Sequence, residues 1–347
     1  MKKIMRQRFY NIIKSVLIIL FLAFFTNGYA DGRYAGASME LGVGARPLAL
    51  GGAAGAMSGG AELFHYNPSA LAFIEKPVIS LMYAPSFVSV TDPLAHYHYA
   101  GIAYPLPGGG TIAFNWTRFS VDDIPIYPDP KGTSFAERNS NPALQMDGEA
   151  LGYFQDVEDV YYFSFAKNLK KNIPIGWMYD DLPIEIPFGM NFKLLRQKLY
   201  QSKASGMGID VGAMIKVNVG RLFDKRYLGD FAIGLSSTDI TQTPIIWDTK
   251  TEDRIRRSFL FGLHYQQLLG FSDAQIKFYW SRYRKYERHV FYGAEFLIKG
   301  LAVRVGKNAY GITSGAGIYF WRFVVDYAFV TNQLDDVHRI SCSINLR

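Results

Sequence analysis

The sequence holds one cysteine, Cys342, among 347 residues, so no disulfide framework can form within the chain. Charged residues are also scarce, at 19% against the roughly one quarter usual for soluble domains. No apolar run reaches the roughly 20 residues a membrane-spanning helix needs, and mean hydropathy is only +0.01. A bundle of transmembrane helices is therefore excluded. Aromatic residues, by contrast, are abundant: 26 Phe, 23 Tyr and 5 Trp make up 16% of the chain. Disorder and coiled coil, both poor in aromatics, are ruled out. The length suits two or three ordinary domains or one large barrel.

The formal net charge of +7 needs its location before it means anything. Residues 1–30 contain Lys2, Lys3, Arg6, Arg8 and Lys14 and no acid, then an apolar run from Val16 to Phe25, then Gly28 and Ala30. A basic start, a short apolar core and small residues at the end are expected of a secretory signal peptide cut after Ala30. The apolar run is about half of a bilayer span, which disfavours an uncleaved anchor. Five of the cations thus belong to targeting, and a nucleic-acid partner loses its electrostatic basis.

Beyond Asp31, period-2 alternation is common and helical periodicity is rare. Ile112, Phe114 and Trp116 alternate with Thr111, Ala113 and Asn115. Phe259, Phe261 and Leu263 alternate with Leu260, Gly262 and His264, and Ile340, Cys342 and Ile344 with Arg339, Ser341 and Ser343. One face is apolar and aromatic, the other small or polar. A soluble sandwich or propeller would bury the apolar face; an outer-membrane barrel turns it toward lipid. Export, aromatic content and long strands such as 184–199 and 205–219 favour the barrel. Fourteen strands are predicted, at about 78–85, 98–105, 111–121, 160–167, 184–199, 205–219, 230–237, 258–267, 274–283, 289–298, 301–307, 311–319, 323–330 and 337–346. An even number suits a single-chain bacterial barrel. Ile124–Gln155, with Pro125, Pro128, Pro130 and Pro142, reads as an extracellular loop, and Thr238–Arg257 as a second. The expected fold is an all-β transmembrane antiparallel barrel. Its parts are a signal peptide at 1–30, an N-terminal plug at 31–77 and the barrel at 78–347.

The plug segment has its own composition. Gly and Ala dominate Leu41–Ala61, as close backbone packing in a confined space requires. Gly42-Val43-Gly44 lacks the preceding strand and following Lys-Ser/Thr of a phosphate cradle. The stretches Gly44-Ala45-Arg46-Pro47-Leu48-Ala49-Leu50-Gly51-Gly52-Ala53 and Tyr66-Asn67-Pro68-Ser69-Ala70-Leu71 resemble the N-terminus of the PorV/PorQ family, itself similar to FadL-type transporters of hydrophobic compounds. Leu301–Gly306, Gly311–Gly317, Val325-Asp326-Tyr327-Ala328 and His338-Arg339-Ile340-Ser341 look like that family's closing strands. The resemblance implies a fourteen-stranded, plugged barrel. The family's Asn-Pro-Ala element falls on Asn67, Pro68 and Ser69, departing at the third position. Many members end in an aromatic residue that aids insertion by the barrel-assembly machinery; this chain ends Asn345-Leu346-Arg347.

Two functions follow from the resemblance: movement of hydrophobic molecules across or into the outer membrane, or receipt and shuttling of secreted cargo proteins in type IX secretion. A structural barrel without transport is the third reading. Tyr66, Asn67, Pro68 and Ser69 are the candidate ligand or plug residues. Leu195, Leu260 and Leu297, on expected inner faces, would either line an apolar path or pack against the plug. An enzyme is not expected. No G-x-S-x-G elbow occurs, and the acid pairs Asp122-Asp123, Asp180-Asp181 and Asp335-Asp336 fall at strand ends or turns. His96 and His98 share a strand face but lack an evident third ligand, so neither metal nor cofactor is expected. Arg254, Arg256, Arg257, Arg282, Arg284, Lys285 and Arg288 cluster in sequence and would meet lipopolysaccharide phosphates at the outer leaflet.

Overall fold

The structure, a computed structural model, describes residues 35–86, 93–127, 134, 149–174, 181–225, 227–331 and 336–346. The expected signal peptide lies outside the described residues. Among the described residues sixteen strands occur: β1 (Val78–Ser86), β2 (Ala95–Leu106), β3 (Gly110–Ile126), β4 (Gly152–Pro174), β5 (Asp181–Leu199), β6 (Ser202–Asn218), β7 (Leu228–Thr238), β8 (Pro244–Trp247), β9 (Glu252–Arg254), β10 (Ser258–Leu268), β11 (Gln275–Arg284), β12 (Arg288–Ile298), β13 (Leu301–Lys307), β14 (Ile312–Phe320), β15 (Phe323–Val330) and β16 (Val337–Asn345). Fourteen pair antiparallel in chain order around a ring, and β8 and β9 form a side hairpin resting on β6. The ring closes where β1 meets β16, with Val78 opposite Asn345 and Leu81 opposite Cys342. Closure leaves the ring itself without a free edge, and among the described residues the side hairpin ends on one at β9.

Alternation decides what each face of this wall meets. Outward positions carry Leu81, Ile102, Phe114, Phe163, Met190, Ile233, Phe278, Val303 and Val325, all well exposed. Inward positions of the wall carry Asn115, Lys193, Asp210, Glu295, Arg304, Asp326 and Arg339, all buried. A soluble protein does the reverse, because exposed apolar area of this extent would aggregate. The chain is inside-out, the pattern of a barrel whose outer wall meets lipid.

The strands match the expected fourteen in number and order, and β3 and β4 differ most in extent. β3 and β4 continue well into the region read as the first loop, pairing as far as Ile126 with Gly152. A bulge between Val121 and Ile124, with Asp123 in the left-handed region, lets the ladder resume beyond the acid pair. The second expected loop is partly ordered as the β8–β9 hairpin. Both sequences hide strand because proline and charge interrupt their alternation, yet neither lies in the apolar belt that creates it.

Residues 35–77 fill the barrel interior through short turns of helix at Ala37–Leu41, Ala45–Ala49, Ala61–His65 and Pro68–Phe73. Val43, Leu50, Met57, Leu63, Phe64 and Leu71 are fully buried. Phe64 and Leu71 share a cluster with the wall residues Tyr97, Tyr99, Tyr162 and Leu195. Phe64 lies 4.8 Å from the Tyr162 ring, edge to face. Of the three leucines expected inside, Leu195 packs in this plug cluster, Leu260 is buried and Leu297 is half-buried.

Candidate functional site

The helical turn Pro68–Phe73 begins with proline, whose missing N–H costs nothing at a first helical position. Asn67 caps it: its Oδ1 accepts from Ser69 N–H at 3.1 Å and from Ser69 Oγ at 2.7 Å. The other end of the same amide, Nδ2, donates to the carbonyl of Gly55 at 2.8 Å and toward that of Ala213 in β6 at 3.5 Å. One side chain therefore ties the helical turn to the glycine-rich strip and to the wall. Ser at the third position of the motif adds the hydroxyl contact that Ala would lack. Tyr66 is held by its backbone, whose carbonyl accepts from Ser236 Oγ at 2.6 Å. The four candidate residues thus lie together, with Asn67 and Ser69 sealed from solvent and spending their polar atoms on the plug and wall.

The wall is shaped to receive this backbone. Gly189, Gly212, Gly234, Gly262, Gly293 and Gly306 all face inward against the plug. Their registers join them around one side of the barrel: Gly189 is opposite Gly212, Gly234 opposite Gly262, and Gly293 opposite Gly306. A Cβ on Gly234 would sit 2.0 Å from the Gly55 carbonyl oxygen, and one on Gly212 would sit 2.0 Å from Asn67 Oδ1. Such distances are impossible contacts, so the girdle marks where the plug backbone touches the wall.

Two ionic networks lock the plug further. Arg46 reaches from the plug to Glu295 in β12, with Nε 3.1 Å from Oε2, and donates to the Tyr279 hydroxyl at 3.3 Å. Arg304 in β13 binds the same Glu295 oxygen at 2.7 Å and Asp326 in β15 at 2.6 Å. Lys277 lies 3.4 Å from the other Glu295 oxygen. Burial opposes the charge on Arg46, but the Glu295 carboxylate outweighs it and keeps the guanidinium protonated. Across the lumen, Lys193 bridges Asp210 and Asp239 at 2.8 Å each, and Asn191 joins Asp210 to the carbonyl of Phe64. Within the plug, burial pushes the Glu62 carboxyl up and the His65 imidazole down to about 4, so His65 is neutral near pH 7. Lys285 points into the barrel toward Glu40 at 2.6 Å.

A pocket of about 540 Å³ lies on the wall across β7 and β10–β13. Phe231, Phe278, Trp280, Tyr292 and Val305 form its sides, and Gly293 and Gly306 lie at its floor. The inner sides of those two glycines touch Leu50 and Gly51. Only the thickness of the strand backbone separates the pocket from the plug.

No family model matches the chain, and no curated protein matches it. Among solved structures, the toluene transporter TbuX of Ralstonia pickettii superposes with a TM-score of 0.48 at 12% identity, over 88% of this chain and 99% of that one. The Pseudomonas putida toluene transporter TodX gives 0.45 at 11% identity, over 88% and 98%. The Acinetobacter baumannii outer membrane protein Omp33 gives 0.39 at 8%, over 78% and 98%. Likeness this distant carries no inference about ligand, and the fold stands on the strand pairing itself.

The remaining sequence candidates are placed as follows. His96 and His98 share the outward face of β2; His96 stacks with Tyr83, and the His98 ring lies tilted 5.1 Å from it. Among the described residues no group of three or more His, Cys, Asp or Glu could hold a metal. Asp180 and Asp335 lie outside the described residues. Sequence reasoning missed the girdle and both ion networks. The inward polar position on each strand was visible; its partner, up to 249 residues away, was not.

Proposed function

We propose that this chain is an outer-membrane barrel of the FadL-like, PorV/PorQ type that admits hydrophobic molecules through its wall and past its plug. The wall pocket at β10–β13 carries this reading. It is apolar, it faces the lipid side, and its glycine floor rests on the Leu50–Gly51 turn of the plug. Passage from the pocket to the lumen requires the β12–β13 ladder, paired at Gly293 and Gly306, to part as well as that turn to move. An apolar molecule partitioned in the bilayer would reach the pocket without crossing water. The short connections at 299–300 and 321–322 fall at the end holding Val78 and Asn345, and the longest connections, 127–151 and 239–257, fall at the other. In outer-membrane barrels short turns face the periplasm, so the long connections are assigned to the cell surface.

Ala294→Trp, an outward change at the pocket, tests the reading. Uptake of toluene and of a radiolabelled C16 fatty acid by cells expressing the protein is expected to fall to the vector control. The variant should still give an unboiled gel band that shifts on heating. Undiminished uptake of a compound the wild type transports would refute the pocket as the route. The type IX alternative shares the barrel and plug; it is favoured instead if the wild type gives no uptake above the vector control and loss of the protein abolishes surface display of secreted cargo.

A further inference from the structure

The outward face of the barrel turns from apolar to basic toward the end of β11–β13 that lies away from Val78 and Asn345. Along β11 the outward positions read Ile276, Phe278 and Trp280, then Arg282 and Arg284. On β12, Arg288 stands directly across from Arg284, and at the end of β13 Lys307 stands across from Tyr292. All four cations are exposed, and among the described residues none has a carboxylate at ion-pair distance. The contrast lies elsewhere on the same face, where Arg118 on β3 is neutralised by Asp159 on β4 at 2.8 Å.

Two like charges directly opposite on neighbouring strands repel, since their Cβ atoms stand only about 4.5–5.5 Å apart. An anion shared between them converts that repulsion into attraction, and a guanidinium fork suits the paired oxygens of a phosphate. The anion must also lie in the plane of the membrane, because Lys307 leaves the wall in the row of Trp280 and Tyr292, Arg282 one outward position beyond it and Arg284 and Arg288 two, where aromatic girdles mark the interface. That placement favours a lipid headgroup over a soluble ion or an acidic protein.

We propose that Arg282, Arg284, Arg288 and Lys307 form a binding site for the phosphates of lipid A, the outer-leaflet glycolipid, with its acyl chains lying along Phe278, Trp280 and Tyr292. The proposal rests on the outer-membrane reading, which puts this end of the strands at the cell surface. It also divides the basic cluster seen in the sequence. Arg254 pairs with Glu252, Arg256 lies over the Tyr286 ring, and Lys285 turns inward to Glu40. Lys307, distant in sequence, joins the site because β13 follows β12 in the wall.

The test is native mass spectrometry of the whole folded protein in detergent, titrated with diphosphoryl lipid A and with the same lipid after removal of both phosphates. The wild type is expected to retain diphosphoryl lipid A at least about tenfold more tightly than the dephosphorylated form. R282Q/R284Q/R288Q should lose that preference, and added salt should weaken it. Arg288→Gln alone should lose part of it. Equal retention of the two lipids by the wild type, or an unchanged preference in the triple variant, would overturn the site. So would stronger retention of a polyglutamate peptide than of the lipid. Heat modifiability is read on every sample: a wild type with no gel shift would defeat the barrel reading itself, whereas a shifted band without phosphate preference defeats only this site.

Discussion

At the residue scale, Glu295 is the most consequential side chain inside the barrel. It receives Arg46 from the plug and Arg304 and Lys277 from the wall, and it is completely buried. Removing one member of a buried ionic group strands its partners' charge in low dielectric, which costs about 3–5 kcal/mol. Glu295→Ala is therefore expected to lower unfolding free energy by about that amount in a urea titration from lipid vesicles. A change below about 1 kcal/mol, the range of exposed pairs, would contradict the network. Much of this scale was illegible beforehand. Arg46, Arg304, Asp326 and Arg339 all stand in the stretches that carry the family resemblance, but a period-2 pattern says only that they share the polar face. Which of them meet depends on barrel curvature and on where the plug passes. Asn67 stands out in the sequence beside Pro68, but the contacts by which its one amide holds helix cap, plug strip and wall arise only in the folded chain.

At the scale of elements, alternation carried the strands. Each of the fourteen was readable where an apolar face lies in the belt, as on β10, β11 and β16. Where strands run beyond the belt, alternation fades, which is why the sequence predicts loops at the β3–β4 extension and the β8–β9 hairpin. The plug was visible through its small residues, whereas the glycines that receive it were not, because an inward glycine in a strand looks like any other small lumen residue. Gly234 tests this fit. In Gly234→Val a side chain must occupy the space of the Gly55 carbonyl oxygen, while the outward belt is untouched. The barrel is expected to insert and remain heat-modifiable, with the plug displaced. Planar-bilayer recording should then show ion conductance that the wild type lacks. A closed, wild-type-like Gly234→Val barrel would show that the plug does not rest on this girdle.

At the scale of the whole molecule, one feature organises the rest: polar and charged groups are buried and apolar groups exposed. Burial of Lys193, Asp210, Glu295, Arg304 and Asp326 is tolerated because each is paired across the plug or between strands. Exposure of Leu81, Phe114, Phe278 and Val303 is tolerated because the solvent there is lipid. Scarce charge and abundant aromatics in the sequence already pointed to this inversion, and closure at β1–β16 completes it. The lone cysteine offers the most direct measurement. Cys342 follows the outward face of β16, opposite the exposed Leu81 of β1 and Val325 of β15. A nitroxide attached there, in protein reconstituted into lipid vesicles, is predicted to collide freely with oxygen and rarely with a water-soluble nickel chelate. Ready collision with the chelate would place this face in water and contradict the membrane-spanning barrel.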